Sequence, residues 1–585
     1  MFKRLIPLPT IALLTFSLVA TALTQPRIRT IDDRIVNNAG LNGQEWLTYG
    51  LTLGETRFSR LTQLNTTNIQ QLGLVWSYDI GTGGGPQGTP LFWGDTLYGI
   101  TTWSVVFAVD ARTGKERWRW NPAVNQETVF PKVCCGVFSR GLAAYGNLVI
   151  AAVIDGRLVA LDARTGKPVW ESRVGYPEEN YTLTMAPRIA KGKVIIGVSG
   201  ADLGTRGYFD AYDAVTGRRV WRVYTVPGNP AQGFENAAMR KAAETWEDGW
   251  WMQGGGGAVW DGMAYDPELN LIYVGTGNGP SKAFNAGESM ITKDHLYAAS
   301  ILAVNADSGT MRWHFQMVPG DIWDYDGAQQ LTLADLTING HRRRVIMQAN
   351  KNGFFYVLDR ATGQFISGKP FSRVTWARGL DVQSGRPIEN PEARDSSGPL
   401  IIRPGGSGAH NTAPMSFNPV TGLVYVPTTA GSRLPYFAGL NVRGVSVTRA
   451  EPPAIGPPVP ESGVDTLVAW DPVAQEMRWR KEDGGGGITG GTVTTAGNLV
   501  LQTVRDGRLL AYSADKGDKL FEVQTGMEEG RRGAGGMGPP ITYMLDGQQY
   551  VAVMGGTGAV VGTAKPPILP APPKLMTYAV KNRRN

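Results

Sequence analysis

The sequence predicts an all-β protein made of repeated four-stranded sheets arranged in a ring, a β-propeller. Three observations predict it: a turn-rich composition, a repeated eleven-residue motif, and hairpin signals beside the motif copies. The chain has 585 residues, with 76 glycines and 37 prolines, while charged residues are 18% and aromatic residues 9%, including 17 tryptophans. A disordered chain would be richer in charge and poorer in aromatics. A collagen would show a strict Gly-X-Y period, and a long helical protein would avoid this much glycine.

The motif is Ala-x-Asp-x-x-Thr-Gly-x-x-x-Trp. It runs at 108–118, 160–170 and 211–221, with looser copies at 303–313, 469–479 and 511–521. The copy at 357–367 keeps Asp359 and Thr362-Gly363 but has Ser367 in place of tryptophan. The step from Trp221 to Trp313 is close to two units. Apolar runs at 148–154 and 157–161 flank Asp155-Gly156, and runs at 499–504 and 508–512 flank Asp506-Gly507. Both are hairpin signals. The Thr-Gly of each motif reads as a second turn, leading to a strand that ends in tryptophan. Two hairpins make a four-stranded sheet, and one such sheet cannot bury both faces. Several must therefore stack around an axis, with the tryptophan docking between neighbouring sheets. Glu451–Pro460 and Lys565–Lys574 are proline-rich and read as surface segments. No second domain is expected.

The formal net charge is +7, and Arg342-Arg343-Arg344 is the only basic triple. Scattered basic residues give no nucleic-acid footprint. Lys3 and Arg4 precede an apolar run ending near Ala20-Thr21-Ala22, the pattern of a cleaved secretory signal over 1–22. Pro7 and Pro9 interrupt the run, which argues against a membrane anchor. The mature chain is expected to be periplasmic, with no membrane span. The two cysteines are adjacent, Cys134-Cys135. They can close a strained ring, remain thiols, or bond another chain; an oxidising compartment favours the ring. No Cys-x-x-Cys-His haem attachment site is present. His295, His314, His341 and His410 are scattered, without zinc-ligand spacing.

Several segments together are more specific: Val133-Cys134-Cys135-Gly136 through Arg140, Ser199-Gly200-Ala201-Asp202-Leu203-Gly204, 254–260, Gly275-Thr276-Gly277-Asn278, and Trp323-Asp324-Tyr325-Asp326. With these the chain resembles the quinoprotein alcohol dehydrogenases over residues 32–563, leaving 564–585 as a C-terminal segment. The stretch from Met347 to Arg360 resembles the quinohaemoprotein branch, which carries an additional cytochrome domain. The resemblance implies an eight-bladed propeller holding pyrroloquinoline quinone and a metal ion, either calcium or a lanthanide, on its axis. It implies oxidation of a small-molecule alcohol, with electrons leaving to a soluble cytochrome c or similar acceptor.

The resemblance also implies roles. Cys134-Cys135, as a vicinal disulfide, and Trp260 would form two flat walls for a flat quinone. Arg140, Thr184, Ser199, Gly200, Ala201 and Asn411 would hold the cofactor, and Lys351 would sit beside its reactive oxygens. Asp202, Asn278, Asp324 and Asp326 are the implied metal ligands, all oxygen donors suited to a hard cation. Asp324 is also the implied catalytic base. Asp326 resembles the second acid of lanthanide-dependent relatives, although some sugar-oxidising relatives pair the same Asp-x-Asp with calcium or magnesium.

Departures from the family pattern are Asp202 for glutamate, Gln87 for glutamate, Ala258 for threonine, and Thr412 and Thr489 for tryptophan. The last two imply a roomier substrate side than methanol needs. Two alternatives stand beside the alcohol dehydrogenase: an aldose or polyol dehydrogenase of the same fold, and a non-catalytic envelope propeller.

Overall fold

In the computed structural model, residues 29–81, 85–279, 291–394, 398–437, 440–441, 446–460, 465–525, 536–556 and 573–580 are described. The expected signal segment 1–22 lies outside them. Among the described residues no helix is long and apolar enough to cross a membrane.

Eight blades, each with four antiparallel strands, form the ring; a short parallel strand, Phe58–Ser59, adds to the seventh and Gly536–Met537 to the eighth. Blades 1 to 7 span 91–120, 142–173, 188–224, 263–316, 332–370, 416–481 and 491–524. Blade 8 combines both ends of the chain: Ile541–Leu545, Gln548–Gly556 and Lys574–Val580 are completed by Leu72–Asp79. This corrects the expected boundary at 563. Lys574–Val580 follows the proline-rich stretch yet is an inner member of a blade, with Tyr578 opposite Leu74 on one side and Val551 on the other. The two expected hairpins form as Leu148–Ala152 with Arg157–Asp162 and Leu499–Thr503 with Arg508–Ser513.

The motif is explained by what it touches. Asp110 accepts hydrogen bonds from the Arg112 and Thr113 amides and the Thr113 hydroxyl, closing a tight Asx turn. The glycine that follows is the landing surface for the preceding blade's tryptophan. A Cβ on Gly166, whose φ is +70°, would lie 2.5 Å from Trp118. The indole N–H of Trp76, Trp118, Trp170, Trp221, Trp313 and Trp479 each donates to a carbonyl of the next blade at 3.0–3.3 Å. One such bond contributes about 1 kcal/mol, whereas truncating a buried tryptophan costs about 3–5 kcal/mol. Packing therefore carries the docking and the hydrogen bond sets its register. Trp76 belongs to this set through the N-terminal strand, outside any motif copy. The tryptophans fall inside their strands rather than at the ends, as in Glu116–Trp120 and Pro168–Arg173.

The long step from Trp221 to Trp313 holds one blade, not two. The extra length is an excursion before Met263, including the helix Ala237–Ala243 capped by Asn236, and a long connection after Gly275.

A segment preceding blade 8's first strand closes the axis. Backbone groups of 44–59 bond the innermost strands of blades 8, 1, 4, 5, 6 and 7 in turn: Gln44 with Met544, Trp46 with Phe92, Leu53 with Tyr265, Gly54 with Leu333, Thr56 with Phe417, and Arg57 with Thr494. Tyr49 packs beside Gly141 and over Arg188, reaching blades 2 and 3.

Candidate active site

Antiparallel blades put two kinds of connection at one end of the ring: those from an outer strand to the next blade, and those joining second and third strands. The first kind carries Arg140, Thr184, Trp260, Asp324 and Asn411. The second carries Asp202, Asn278 and Lys351. They converge on a cavity of about 630 Å³, within the usual ~300–1,000 Å³ of ligand pockets.

Every residue given a cofactor, metal or catalytic role from sequence lines this cavity: Cys134, Cys135, Arg140, Thr184, Ser199, Gly200, Ala201, Asp202, Trp260, Asn278, Asp324, Asp326, Lys351 and Asn411. Cys134 and Cys135 form a disulfide with each other. Among the departures, Gln87 and Thr412 line the cavity. Ala258 and Thr489 do not, although Ile488, which adjoins Thr489, does. Lys132, Phe138, Thr182 and Ser407 also line it and were not singled out from sequence. Lys132 directly precedes the Val133-Cys134 segment, which was the available signal. Its ammonium donates to Asn180 Oδ1 at 2.6 Å, and Asn180 Nδ2 donates to the Leu203 carbonyl at 3.0 Å, tying three rim loops together.

At one side of the cavity, Arg140 Nη1 donates to Thr184 Oγ1 at 2.8 Å and to the Trp260 carbonyl at 3.2 Å. Thr184 and Ser199 hydroxyls are 3.0 Å apart. The guanidinium lies 5.1 Å from the Trp260 ring centroid and 5.0 Å from that of Phe138. This is a cation flanked by hydroxyls and flat rings, suited to a planar polycarboxylate.

Across the cavity, Lys351 Nζ lies 2.9 Å from Asp326 Oδ2 and 3.2 Å from Asp324 Oδ2. Asp326 Oδ1 accepts from the Asn278 amide, and Asn278 also bonds the Asp202 carboxylate. A Cβ on Gly277 would lie 3.3 Å from both Asp326 Oδ1 and Trp260 Nε1, so glycine permits that approach. Asp324 and Asp326 have φ of 66° and 33°, a conformation side chains rarely adopt and one that concentrates at functional sites. It is held by Asp321, which accepts from the amides of Trp323 and Tyr325 at 2.9 and 2.7 Å. Asn350 Nδ2 adds a bond to the Asp326 carbonyl at 2.8 Å.

The electrostatics of this cluster call for a further cation. Although 43% of the Asp324 side-chain surface is open, desolvation within the ring raises its pKa well above the carboxylate range. Lys351 opposes that rise, and Asp326, Asp202 and Asp321 add to it. Desolvation and then Asp326 raise Asp202. Lys351 is raised despite its burial, because Asp324 and Asp326 hold its ammonium. Three carboxyl groups thus share one ammonium. Among the described residues, no three His, Cys, Asp or Glu side chains close around one point by themselves. Amide and carboxylate oxygens of Asp202, Asn278, Asp324 and Asp326 nevertheless supply the donor chemistry a hard cation takes. A cation there would oppose the rise and favour the ionised form of Asp324.

The family description "Glucose/ethanol/alcohol dehydrogenase, beta-propeller domain" matches residues 46–370. A quinohemoprotein alcohol dehydrogenase, ADH IIB of Pseudomonas putida, is 46% identical over 535 residues, covering 91% of this chain and 76% of the relative. The crystal structure of the quinohemoprotein alcohol dehydrogenase from Comamonas testosteroni superposes with a TM-score of 0.83 at 43% identity, covering 94% of this chain and 83% of that one. A europium-containing methanol dehydrogenase superposes with a TM-score of 0.81 at 30% identity, covering 94% and 100%.

Proposed function

The chain belongs to the pyrroloquinoline quinone-dependent alcohol dehydrogenases, and on that premise we propose which residues perform the oxidation and what they act on. The observation that carries the reading is the gathering of all fourteen expected site residues around one cavity. When bound, pyrroloquinoline quinone supplies a two-electron, hydride-accepting group, and the ion a Lewis acid.

This chain's own residues do the rest. Arg140, with Thr184 and Ser199, binds carboxylates at one side of the cavity. The Cys134-Cys135 disulfide and the Trp260 indole, both at the cavity wall, would be the flat surfaces offered to its ring. Asp202, Asn278, Asp324 and Asp326 would hold the ion. Asp324 accepts the hydroxyl proton of an alcohol placed beside it, and its backbone, locked by Asp321, fixes where that proton goes. Lys351 stabilises negative charge on oxygens next to Asp324 and Asp326. The product is an aldehyde or ketone, and each turnover leaves two electrons for a separate carrier such as a soluble cytochrome c in the periplasm.

The ion is calcium or a lanthanide. Asp326 supplies the additional carboxylate a trivalent ion requires, and a europium-containing relative shares the fold. Thr412 and Ile488 at the wall favour alcohols larger than methanol. Dye-linked oxidation by cofactor-loaded protein, over a panel from methanol through long-chain and aromatic alcohols to glucose, tests the reading. Primary alcohols of intermediate length should turn over fastest. Activity confined to glucose and polyols would favour the aldose reading instead.

A further inference from the structure

We infer that Asp261 and Glu55, acting through Arg188, are positioning residues that hold Arg140 for the cofactor's carboxylates and so couple the axial N-terminal segment to the cavity. This rests on the cofactor assignment above and extends it to residues outside the cavity wall.

The four side chains alternate in sign and are nearly sealed from solvent. Glu55 Oε1 accepts from Arg188 Nε at 2.7 Å. Arg188 Nη2 lies 3.9 Å from Asp261 Oδ1, and Asp261 Oδ2 lies 3.3 Å from Arg140 Nε. Their side chains are 1%, 8%, 6% and 6% exposed, in the order Glu55, Arg188, Asp261, Arg140. The chain begins in the segment that touches the blades around the axis and ends on the guanidinium that reaches Thr184 and Trp260. Asp261 directly follows Trp260, so one residue braces both a cation and a flat wall of the cavity.

A buried ion pair is poor evidence of stability, since apolar side chains of similar size often do as well. Its value is orientation: the Asp261 carboxylate, 3.3 Å from Arg140 Nε but without hydrogen-bond geometry, draws that edge of the guanidinium by charge and leaves Nη1 toward the hydroxyls. Arg188 in turn is fixed by Glu55, by the Ala186 carbonyl at 2.6 Å, and by stacking 4.1 Å from the Tyr49 ring centroid. Arg57, 5.7 Å from the same ring, is consumed by the carbonyls of Tyr49, Thr492 and Pro540 at 2.8 Å each. It cannot replace Arg188.

Charge and positioning predict opposite signs, which makes the test sharp. D261N removes a negative charge near the cavity, so charge alone would tighten binding of a tricarboxylate. Loss of positioning would weaken it. The experiment titrates full-length apoprotein with pyrroloquinoline quinone at fixed calcium, reading tryptophan quenching, with apoprotein Tm measured in parallel. Variants are D261N, R188K, which keeps charge but not the planar fork, and E55Q. Roughly tenfold weaker binding in D261N and R188K, the scale of support lost around a ligated site, with a smaller loss in E55Q, is expected. Tighter or unchanged binding in D261N and R188K, whatever their Tm, would overturn the inference. Should D261N fail to fold, R188K and E55Q decide by the same criterion. No binding by the wild type would overturn the cofactor assignment, and this inference with it.

Discussion

Lys351 holds two carboxylates at once, 2.9 Å from Asp326 and 3.2 Å from Asp324. Both of its partners sit on backbone in the left-handed region. The lysine thus joins the proposed base to the proposed ion ligands. That joint is where the chemistry is most exposed to a single substitution.

Asp324→Asn keeps the shape of the side chain and removes its capacity to take a proton. Turnover of the preferred alcohol should fall by about 10²–10⁴, the usual contribution of a positioned base. Cofactor binding, read by absorbance, should persist. Near-normal turnover would place the base elsewhere.

Asp326→Ala should change which ion serves. With chelated and reloaded protein, the variant should lose lanthanide-supported activity more than calcium-supported activity, because a trivalent ion leans more on the added carboxylate. Identical metal profiles for the two proteins would make Asp326 a partner of Lys351 only.

His410 gives the fold an acid limit. It is fully buried beside the cavity loop that holds Ser407, Asn411 and Thr412, and its Nδ1 donates to the Pro427 carbonyl at 2.8 Å. Burial pushes its pKa down to about 4 from an ordinary 6.5. The unfolded chain therefore takes up the proton first. Stability from the neutral ring is fully present above pH ~6.5 and is lost as pH falls toward 4, by about 3 kcal/mol. His410→Gln should flatten the fall in Tm between pH 6.5 and 4. An unchanged slope would assign acid sensitivity to other groups.

Ending the chain after residue 573 should abolish folding. It removes Lys574–Val580, which pairs with both Leu72–Asp79 and Gln548–Gly556, and so opens the ring. A cooperative thermal transition in that truncated chain would show that seven blades and a broken eighth suffice.

Much of this was legible in the sequence, and the reasons are local. Asp-x-x-Thr-Gly is a turn whose partners lie within five residues, and its tryptophan always meets the next copy, so repetition alone exposes the docking. The cavity residues sit in short distinctive segments, and all fourteen meet. What stayed hidden depends on distant partners. Residues 44–59 carry no repeat, and their role appears only when six inner strands are found bonded to them. Trp76 and Lys574–Val580 complete a blade whose halves are about 500 residues apart in sequence. Glu55, Arg188 and Asp261 look like ordinary charges until the fold buries them in line. Thr489 approaches the cavity without lining it, because in the bend before Gly491–Thr495 it is Ile488 that forms the wall.

The most direct measurement mixes apoprotein with pyrroloquinoline quinone and follows dye reduction by an intermediate-length primary alcohol, with calcium, with a light lanthanide, and with chelator alone. Quinone-dependent dye reduction that requires one of the ions, and that vanishes with chelator, is the predicted result. Quinone bound without any alcohol-dependent dye reduction, or no quinone bound with either ion, would contradict the assignment of this cavity.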